Sequence, residues 1–190
     1  MVVIIMIIGA VFLRLIPHIP NFAPITALGL FGGRYMNRKF AILAPLVVMI
    51  LSDYLLLYIN PFTSSVDFTR VYPITSLFRS DTVFVWSSFV ISSLIGIWVR
   101  KTTRPAVIVG ATLLASLQFF LITNLGVWAI GMYSRGLDGL VQSYSMGIPF
   151  FRWTILGDLF YTVVFFSTYA LVNKVVRFAF YLHVCLRRYE

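Results

Sequence analysis

Long apolar stretches constrain the fold of this chain more than any other feature of its sequence. The 190 residues are 60% hydrophobic and only 11% charged, and the mean hydropathy is +0.93. A water-soluble domain of this length has too much surface for its volume to hide so many apolar side chains. Most of the surface must therefore face lipid, and the same composition excludes a disordered chain.

Six apolar segments are candidate membrane helices, because a helix needs about 20 apolar residues to cross the hydrocarbon core. Five of them approach that length, and they cover residues 1–16, 40–59, 82–99, 105–130 and 154–176. The sixth, 22–36, is short and rich in Gly and Ala, and Pro17 and Pro20 separate it from the first. We expect a short, closely packed span there, with a re-entrant half-helix as the alternative.

The positions of the basic residues predict the orientation of these helices. Six crossings that start inside place ten of the fifteen Lys and Arg residues on the inner side, in the segments 34–39, 100–104 and 174–188. Cytoplasmic loops of membrane proteins carry such an excess. The sequence therefore predicts an all-α integral membrane protein, a six-transmembrane-helix bundle with both termini cytoplasmic.

The rest of the chain is divided between that bundle, its connections and a tail. A single membrane domain is predicted over 1–176, and a basic amphipathic tail, 177–190, is expected on the cytoplasmic membrane surface. The two outer connections, 60–81 and 131–153, are predicted to be long loops that either cap a ligand or simply join helices.

Polar residues interrupt the apolar segments near their predicted outer ends. Arg14, Asp53 and Asp158 are the charged members, and a charge near the centre of a span costs about 2.5–3.5 kcal/mol on insertion scales, so such groups face protein or water. An outward-facing, substrate-binding pocket is therefore expected from Arg14, His18, Asn21, Asp53, Asn124, Trp128, Asp158 and Tyr161. In the alternative, which is compatible with a pocket, Arg14 pairs with an aspartate to hold helices together.

Small residues recur at four-residue spacing in the second apolar segment. Ala23 and Ala27 form an A-x-x-x-A pattern, and Gly29 and Gly33 form G-x-x-x-G. This spacing lets helix backbones approach closely in lipid. The face packs either within the chain or against another subunit, and it is our candidate for partner docking.

Motifs for catalysis, metal binding and ATP-driven transport are missing from the sequence. It has no G-x-S-x-G, H-E-x-x-H, Walker A or C-x-x-C pattern. We therefore expect a protein that is not an enzyme and that has no cofactor and no metal. The net charge of +9 is attributed to membrane orientation rather than to nucleic-acid binding.

Three stretches together resemble one family of small bacterial membrane proteins. They are RLIPHIPNFAPITALGLFGGRY, FFLITNLGVWAIGMY and IPFFRWTILGDLFYT, which extend in this order from Arg14 to Thr162. That family is usually described as candidate substrate-specific (S) components of energy-coupling factor (ECF) transporters. The resemblance implies a six-helix protein that captures a vitamin or trace nutrient and docks to a transmembrane coupling protein with two cytosolic ATPases.

The resemblance also bears on individual residues. Within the matching stretches Arg14, His18, Asn21, Asn124 and Asp158 are the implied pocket residues. Asp53, in LSDYLL, is a weaker match. In ECF S components an A-x-x-x-A pattern on the first helix docks the coupling protein, whereas Ala23 and Ala27 here lie in the second apolar segment.

Two functions from different classes follow as hypotheses. The first is a substrate-binding membrane subunit of an ECF-type importer, in which Arg14 meets an anionic group and Trp128 and Tyr161 stack on a ring. The alternative is a structural or accessory subunit of a larger membrane complex with no ligand of its own, suggested by the Gly/Ala face and the 17% aromatic content.

Overall fold

The computed structural model describes residues 2–16, 19–60, 65–67, 72–102 and 104–186. In this part of the chain nearly all regular structure is helical. The six α-helices are α1 (Val2–Leu15), α2 (Ile25–Tyr35), α3 (Arg38–Leu56), α4 (Thr82–Trp98), α5 (Pro105–Ala129) and α6 (Leu137–Leu186). Two-residue strands, β1 (Ile59–Asn60) and β2 (Ser65–Val66), pair antiparallel between α3 and α4, and short 3₁₀ turns cover Ile74–Leu77 and Val99–Lys101.

Four of these helices are long and apolar enough to cross a membrane: α3, α4 with the 3₁₀ turn that follows it, α5 and α6. The remaining two are shorter. The apolar part of α1 covers Ile4–Leu15, and α2 has 11 residues. At a rise of about 1.5 Å per residue, α2 is about 16 Å long, well below the hydrocarbon thickness of about 30 Å.

Helix α2 occupies the centre of the molecule. It contacts α1, α3, α4, α5 and α6, and every residue from Ile25 to Gly33 is buried. The side chains of Ile25, Leu28 and Phe31 belong to the main apolar core. A short helix is tolerated at membrane depth when other helices enclose it, because protein rather than lipid then surrounds its ends.

The small residues of α2 make its crossing with α4 very close. A Cβ atom added to Gly33 would lie 2.6 Å from the backbone nitrogen of Ile97, and one added to Gly96 would lie 2.8 Å from Cα of Leu30. Ala27 is fully buried, and Gly29 faces Ser93. Ala27, Gly29 and Gly33 thus pack against other helices of the same chain. Because they are buried there, a partner protein has no access to them. Ala23 is partly buried and lines a cavity described below.

Two arginines join the C-terminal ends of α2 and α4 by reciprocal hydrogen bonds. Arg34 donates from Nη1 to the carbonyl of Val99 at 2.9 Å. Arg100 donates from Nη2 to the carbonyls of Gly33 and Met36, at 2.7 and 2.6 Å. The last carbonyls of a helix have no partner within it and carry partial negative charge, so both arginines are placed favourably. The segments 34–39 and 99–104 therefore lie at the same end of the bundle.

The predicted loop over 131–153 is wrong for most of its length, because α6 already begins at Leu137. The connection from α5 is a turn over 130–136, in which Gly131 and Gly136 have φ angles of 84° and 151° that favour glycine. Helix α6 then packs antiparallel to α5, with the Tyr144 hydroxyl donating to the carbonyl of Leu121 at 2.9 Å. Pro149 lies inside α6 without ending it.

The C-terminal part of the chain is also helical as far as Leu186. The ring of Tyr169 in α6 packs against that of Tyr35 at the end of α2, with ring centroids 4.2 Å apart and an angle of 37° between the rings. This contact brings α6 to the basic end of the bundle, and the helix continues from there through Lys174 and Arg177. The start of the tail, 177–186, is thus a continuation of the last helix.

Candidate functional site

A cavity of about 570 Å³ lies at the end of the bundle opposite the basic segments. All six helices contribute to its wall. Arg14 lies in the last turn of α1, Asp53 in the last turn of α3, and Thr82 is the first residue of α4. Of the eight predicted pocket residues, four line this cavity: Arg14, Asn21, Asp53 and Asp158. Its volume is within the usual range for small-molecule sites.

Arg14 and Asp53 form an ion pair at the wall of the cavity. Nη1 of Arg14 lies 2.7 Å from Oδ1 of Asp53, and the two side chains are 16% and 33% exposed. The same Nη1 atom also donates to the hydroxyl of Ser52, a fully buried residue of α3. The pair thus connects α1 to α3, as the sequence alternative expected, and it remains part of the cavity lining.

Asp158 lies much deeper than the sequence suggested, because α6 begins well before residue 154. It is 1% exposed. The Ser116 hydroxyl, near the midpoint of α5, donates to Oδ2 of Asp158 at 2.7 Å, and the Thr26 hydroxyl of α2 is a second hydrogen-bond partner. Asp158 therefore joins α2, α5 and α6 at the floor of the cavity.

A second ion pair at the cavity was not predicted from the sequence. Nη2 of Arg79 lies 2.8 Å from Oδ2 of Asp81, with Arg79 mostly exposed. Hydrogen bonding to the Arg79 guanidinium holds the pKa of the Asp81 carboxyl below its usual value. This pair stabilises the folded protein fully at pH values above the usual pKa of an aspartate. The stabilisation is lost as the pH falls through the lowered pKa of Asp81. Because the pair is solvent-exposed, that contribution is below about 1 kcal/mol.

Asn124 lines a second, smaller cavity of about 280 Å³ next to the first. Asn21 and Thr154 line both cavities, so the two are neighbours. The Asn124 amide donates to the carbonyl of Phe120 at 2.8 Å. Asn124 also packs against Gly147 of α6, where an added Cβ would lie 2.8 Å from its Cγ atom. Asn21 has a φ angle of 65°, a left-handed conformation that asparagine tolerates better than most residues.

Two further predicted pocket residues, Tyr161 and Trp128, are not in either cavity wall. Tyr161 is buried in the apolar core, with its ring 5.5 Å from that of Phe22. Trp128 is close to the turn after α5, and its indole donates to the carbonyl of Gly136 at 3.2 Å. The expected stacking of both rings on a ligand thus gains no support from their positions. His18 lies outside the described residues.

Buried hydroxyl groups are the main feature that the sequence reading missed. Ser88, Ser92, Thr112 and Ser116 are completely buried in α4 and α5. The first three donate to the carbonyl four residues earlier in their own helix, whereas the single hydroxyl proton of Ser116 is directed at Asp158. Such back-bonding satisfies a hydroxyl inside an apolar helix. The sequence did contain a signal for these groups. Ser88 and Ser92, like Thr112 and Ser116, are four residues apart, and this spacing places both hydroxyls of a pair on one face of the helix.

The cavity residues do not form a metal site. Among the described residues, no group of three or more His, Cys, Asp and Glu side chains could hold a metal ion. What the arrangement offers is a partly apolar chamber with fixed charges, hydroxyls and an amide, which suits reversible binding of a small molecule.

Comparison with known proteins identifies the family but not an activity. A model described as a family of unknown function (DUF6580) matches residues 1–180, nearly the whole chain. The chain therefore belongs to that family. No curated protein and no solved structure matches it.

Proposed function

We propose that this member of the DUF6580 family is a substrate-binding membrane subunit of an ECF-type importer, which captures a small water-soluble vitamin or trace nutrient. The observation that carries the proposal is the cavity of about 570 Å³. It brings together polar residues from distant parts of the chain, as expected for a ligand site rather than for a packed bundle. The resemblance of the stretches around Arg14 and Asp158 to S components supports the same assignment.

The proposed topology has six crossings, both ends of the chain on the cytoplasmic side and the cavity on the outer side of a bacterial cytoplasmic membrane. It is supported by the basic segments 34–39 and 99–104, which the bonds of Arg34 and Arg100 hold at one end. The positive-inside rule assigns that end to the cytoplasm. In this topology α1 and α2 cross with the help of their neighbours, although both are short.

Cysteine labelling tests the topology. In a Cys185→Ser background, the Ser134→Cys and Lys101→Cys variants place one thiol at exposed positions near opposite ends of the bundle. In intact cells, a membrane-impermeant maleimide is expected to label the Ser134→Cys variant, and to label the Lys101→Cys variant only after permeabilisation. The reverse pattern, or equal labelling before permeabilisation, would contradict the orientation.

Ligand-dependent stabilisation tests the binding function. The purified chain in detergent would be screened against water-soluble vitamins and related nutrients, and one compound is expected to raise the melting temperature. A ligand at 100 times its Kd stabilises a protein by about 2.7 kcal/mol. Asn21→Gly removes the amide while the backbone keeps its φ of 65°, so the variant should stay folded and bind the compound about tenfold more weakly.

The Trp128→Phe variant is the matched control for this screen. Trp128 lies outside both cavities, so its replacement should leave the ligand-dependent shift unchanged. An equal loss of affinity in both variants would argue against binding in the cavity. A broad screen without any shift would count against the function itself.

A structural or accessory subunit of a larger membrane complex is the second candidate function. The observation in its favour is α6 beyond Tyr169, where Leu171, Val175 and Phe178 are 63%, 58% and 66% exposed. An apolar face of this kind offers a surface for other membrane subunits. This function predicts stable co-purification with a large assembly and a cavity without a nutrient.

A further inference from the structure

The arginines of the cavity are already occupied by carboxylates of the chain itself. Arg14 is paired with Asp53 at 2.7 Å, and Arg79 is paired with Asp81 at 2.8 Å. An anionic ligand would therefore meet guanidinium groups whose positive charge the carboxylates of the chain already compensate. The sequence-based expectation that Arg14 meets an anionic group is therefore not favoured by this geometry.

The third carboxyl group of the cavity, on Asp158, has a different environment. Its partners are the hydroxyls of Ser116 and Thr26, and no Lys, Arg or His in the described part of the chain forms an ion pair with it. A carboxylate can accept about four hydrogen bonds. A buried carboxylate with hydroxyl partners alone lacks the compensating charge that buried ions normally have.

The wall near Asp158 is aromatic. Trp86, Phe89 and Phe119 line the same cavity, and the rings of Phe89 and Phe119 are 5.3 Å apart at an angle of 32°. The cavity thus extends from the exposed Arg79–Asp81 pair to the buried Asp158 along apolar rings. A flat apolar body can pack against this aromatic wall, with a polar group directed at the carboxyl group.

From these contacts we infer that the cavity selects a compound with a cationic amine or amidine group on an aromatic body, and that Asp158 receives the cationic group. The inference rests on the proposed binding function and specifies its substrate class. The ligand would supply the positive charge that Asp158 lacks, while the two existing ion pairs stay intact. Anionic and uncharged analogues of the same shape are then discriminated against, because they offer Asp158 no positive charge.

Three probes of similar shape and different charge test this inference on the wild-type chain. Phenethylamine, 2-phenylethanol and 3-phenylpropionate share a phenyl ring and differ in the terminal group. The purified protein is titrated with each compound, and binding is measured by isothermal calorimetry or from the melting temperature. We expect phenethylamine to bind about tenfold tighter than the other two. A tenfold difference in affinity is at the low end of what a hydrogen bond to a charged group contributes to binding.

The Asp158→Asn variant adds a test at the residue itself. It keeps the shape of the side chain, and the advantage of phenethylamine over 2-phenylethanol should disappear. Trp128→Phe, outside the cavity, should preserve that advantage. If Asp158→Asn does not fold, the three-probe comparison on the wild-type protein decides by itself.

The outcomes separate this inference from the function on which it rests. Equal or tighter binding of 3-phenylpropionate or 2-phenylethanol overturns the cationic preference but retains a ligand-binding cavity. Absence of binding by all three probes at millimolar concentration also overturns the preference, whatever the nutrient screen finds. The proposed function fails separately, when that screen shows no stabilisation by any compound.

Discussion

Replacing Gly33 by leucine is expected to unfold the centre of this protein. The new Cβ atom would lie 2.6 Å from the nitrogen of Ile97 and 2.7 Å from the carbonyl carbon of Gly96. Carbon atoms in contact are normally about 3.5–4.0 Å apart, so α2 and α4 would have to separate. Both neighbours are backbone atoms, which cannot rotate away as a side chain would.

The expected loss for Gly33→Leu is about 3 kcal/mol or more, at the upper end of overpacking effects. Separation of the helices would also disturb the hydrogen bonds from Arg100 to the carbonyl of Gly33. The measurement is the melting temperature and the monodispersity of the purified protein in detergent. A marked fall in yield of folded protein is part of the expected result.

Gly110→Leu is the matched control for this substitution. Gly110 is also a glycine inside a helix that is long and apolar enough to cross a membrane, but an added Cβ there meets nothing within 4 Å. Its replacement should change stability by no more than about 0.5 kcal/mol. If Gly33→Leu were as stable as Gly110→Leu, the close crossing of α2 and α4 would be refuted.

The second large effect is expected at the ion pair between Arg14 and Asp53. Arg14→Met keeps the length of the side chain, removes its charge, and leaves the partly buried Asp53 and the buried Ser52 without their donor. Breaking exposed pairs costs about 0.2–1 kcal/mol and breaking buried pairs about 3–5 kcal/mol. With exposures of 16% and 33%, we expect an intermediate loss of about 1–3 kcal/mol.

A double-mutant cycle isolates the interaction itself. Asp53→Asn keeps the shape of the acid, and the double variant Arg14→Met with Asp53→Asn should be less destabilised than the sum of the two single changes. A coupling of about 1 kcal/mol or more is expected for groups in direct contact. Strictly additive effects would show that the pair does not form in solution.

The sequence predicted the apolar helices well, because hydrophobicity is a local property. All six predicted segments are helical, and four helices are long and apolar enough to cross a membrane. Its failure came at 137–153, where Gly139, Gly147 and Pro149 resemble loop residues. In the folded protein Gly147 lets Asn124 approach α6, so a glycine that suggests a break in the sequence is required for packing.

The candidate site was only partly predictable, for a related physical reason. Arg14, Asp53 and Asp158 could be found because polar groups in an apolar helix are costly and conspicuous. Asn21 could be found because it lies in the proline-containing turn between the first two apolar segments. The second ion pair could not be found, since Arg79 and Asp81 lie in a connection whose path is set by tertiary contacts. The depth of Asp158 was misjudged because it depends on where α6 begins.

Native mass spectrometry of the protein extracted from its own membrane distinguishes an importer subunit from an accessory subunit. Denaturation is expected to release one low-mass organic compound in near-stoichiometric amount, and a transmembrane coupling protein and an ATPase pair are expected to co-purify. A cavity that holds only lipid, in a chain tightly bound to a large unrelated assembly, would contradict the account and favour the accessory role.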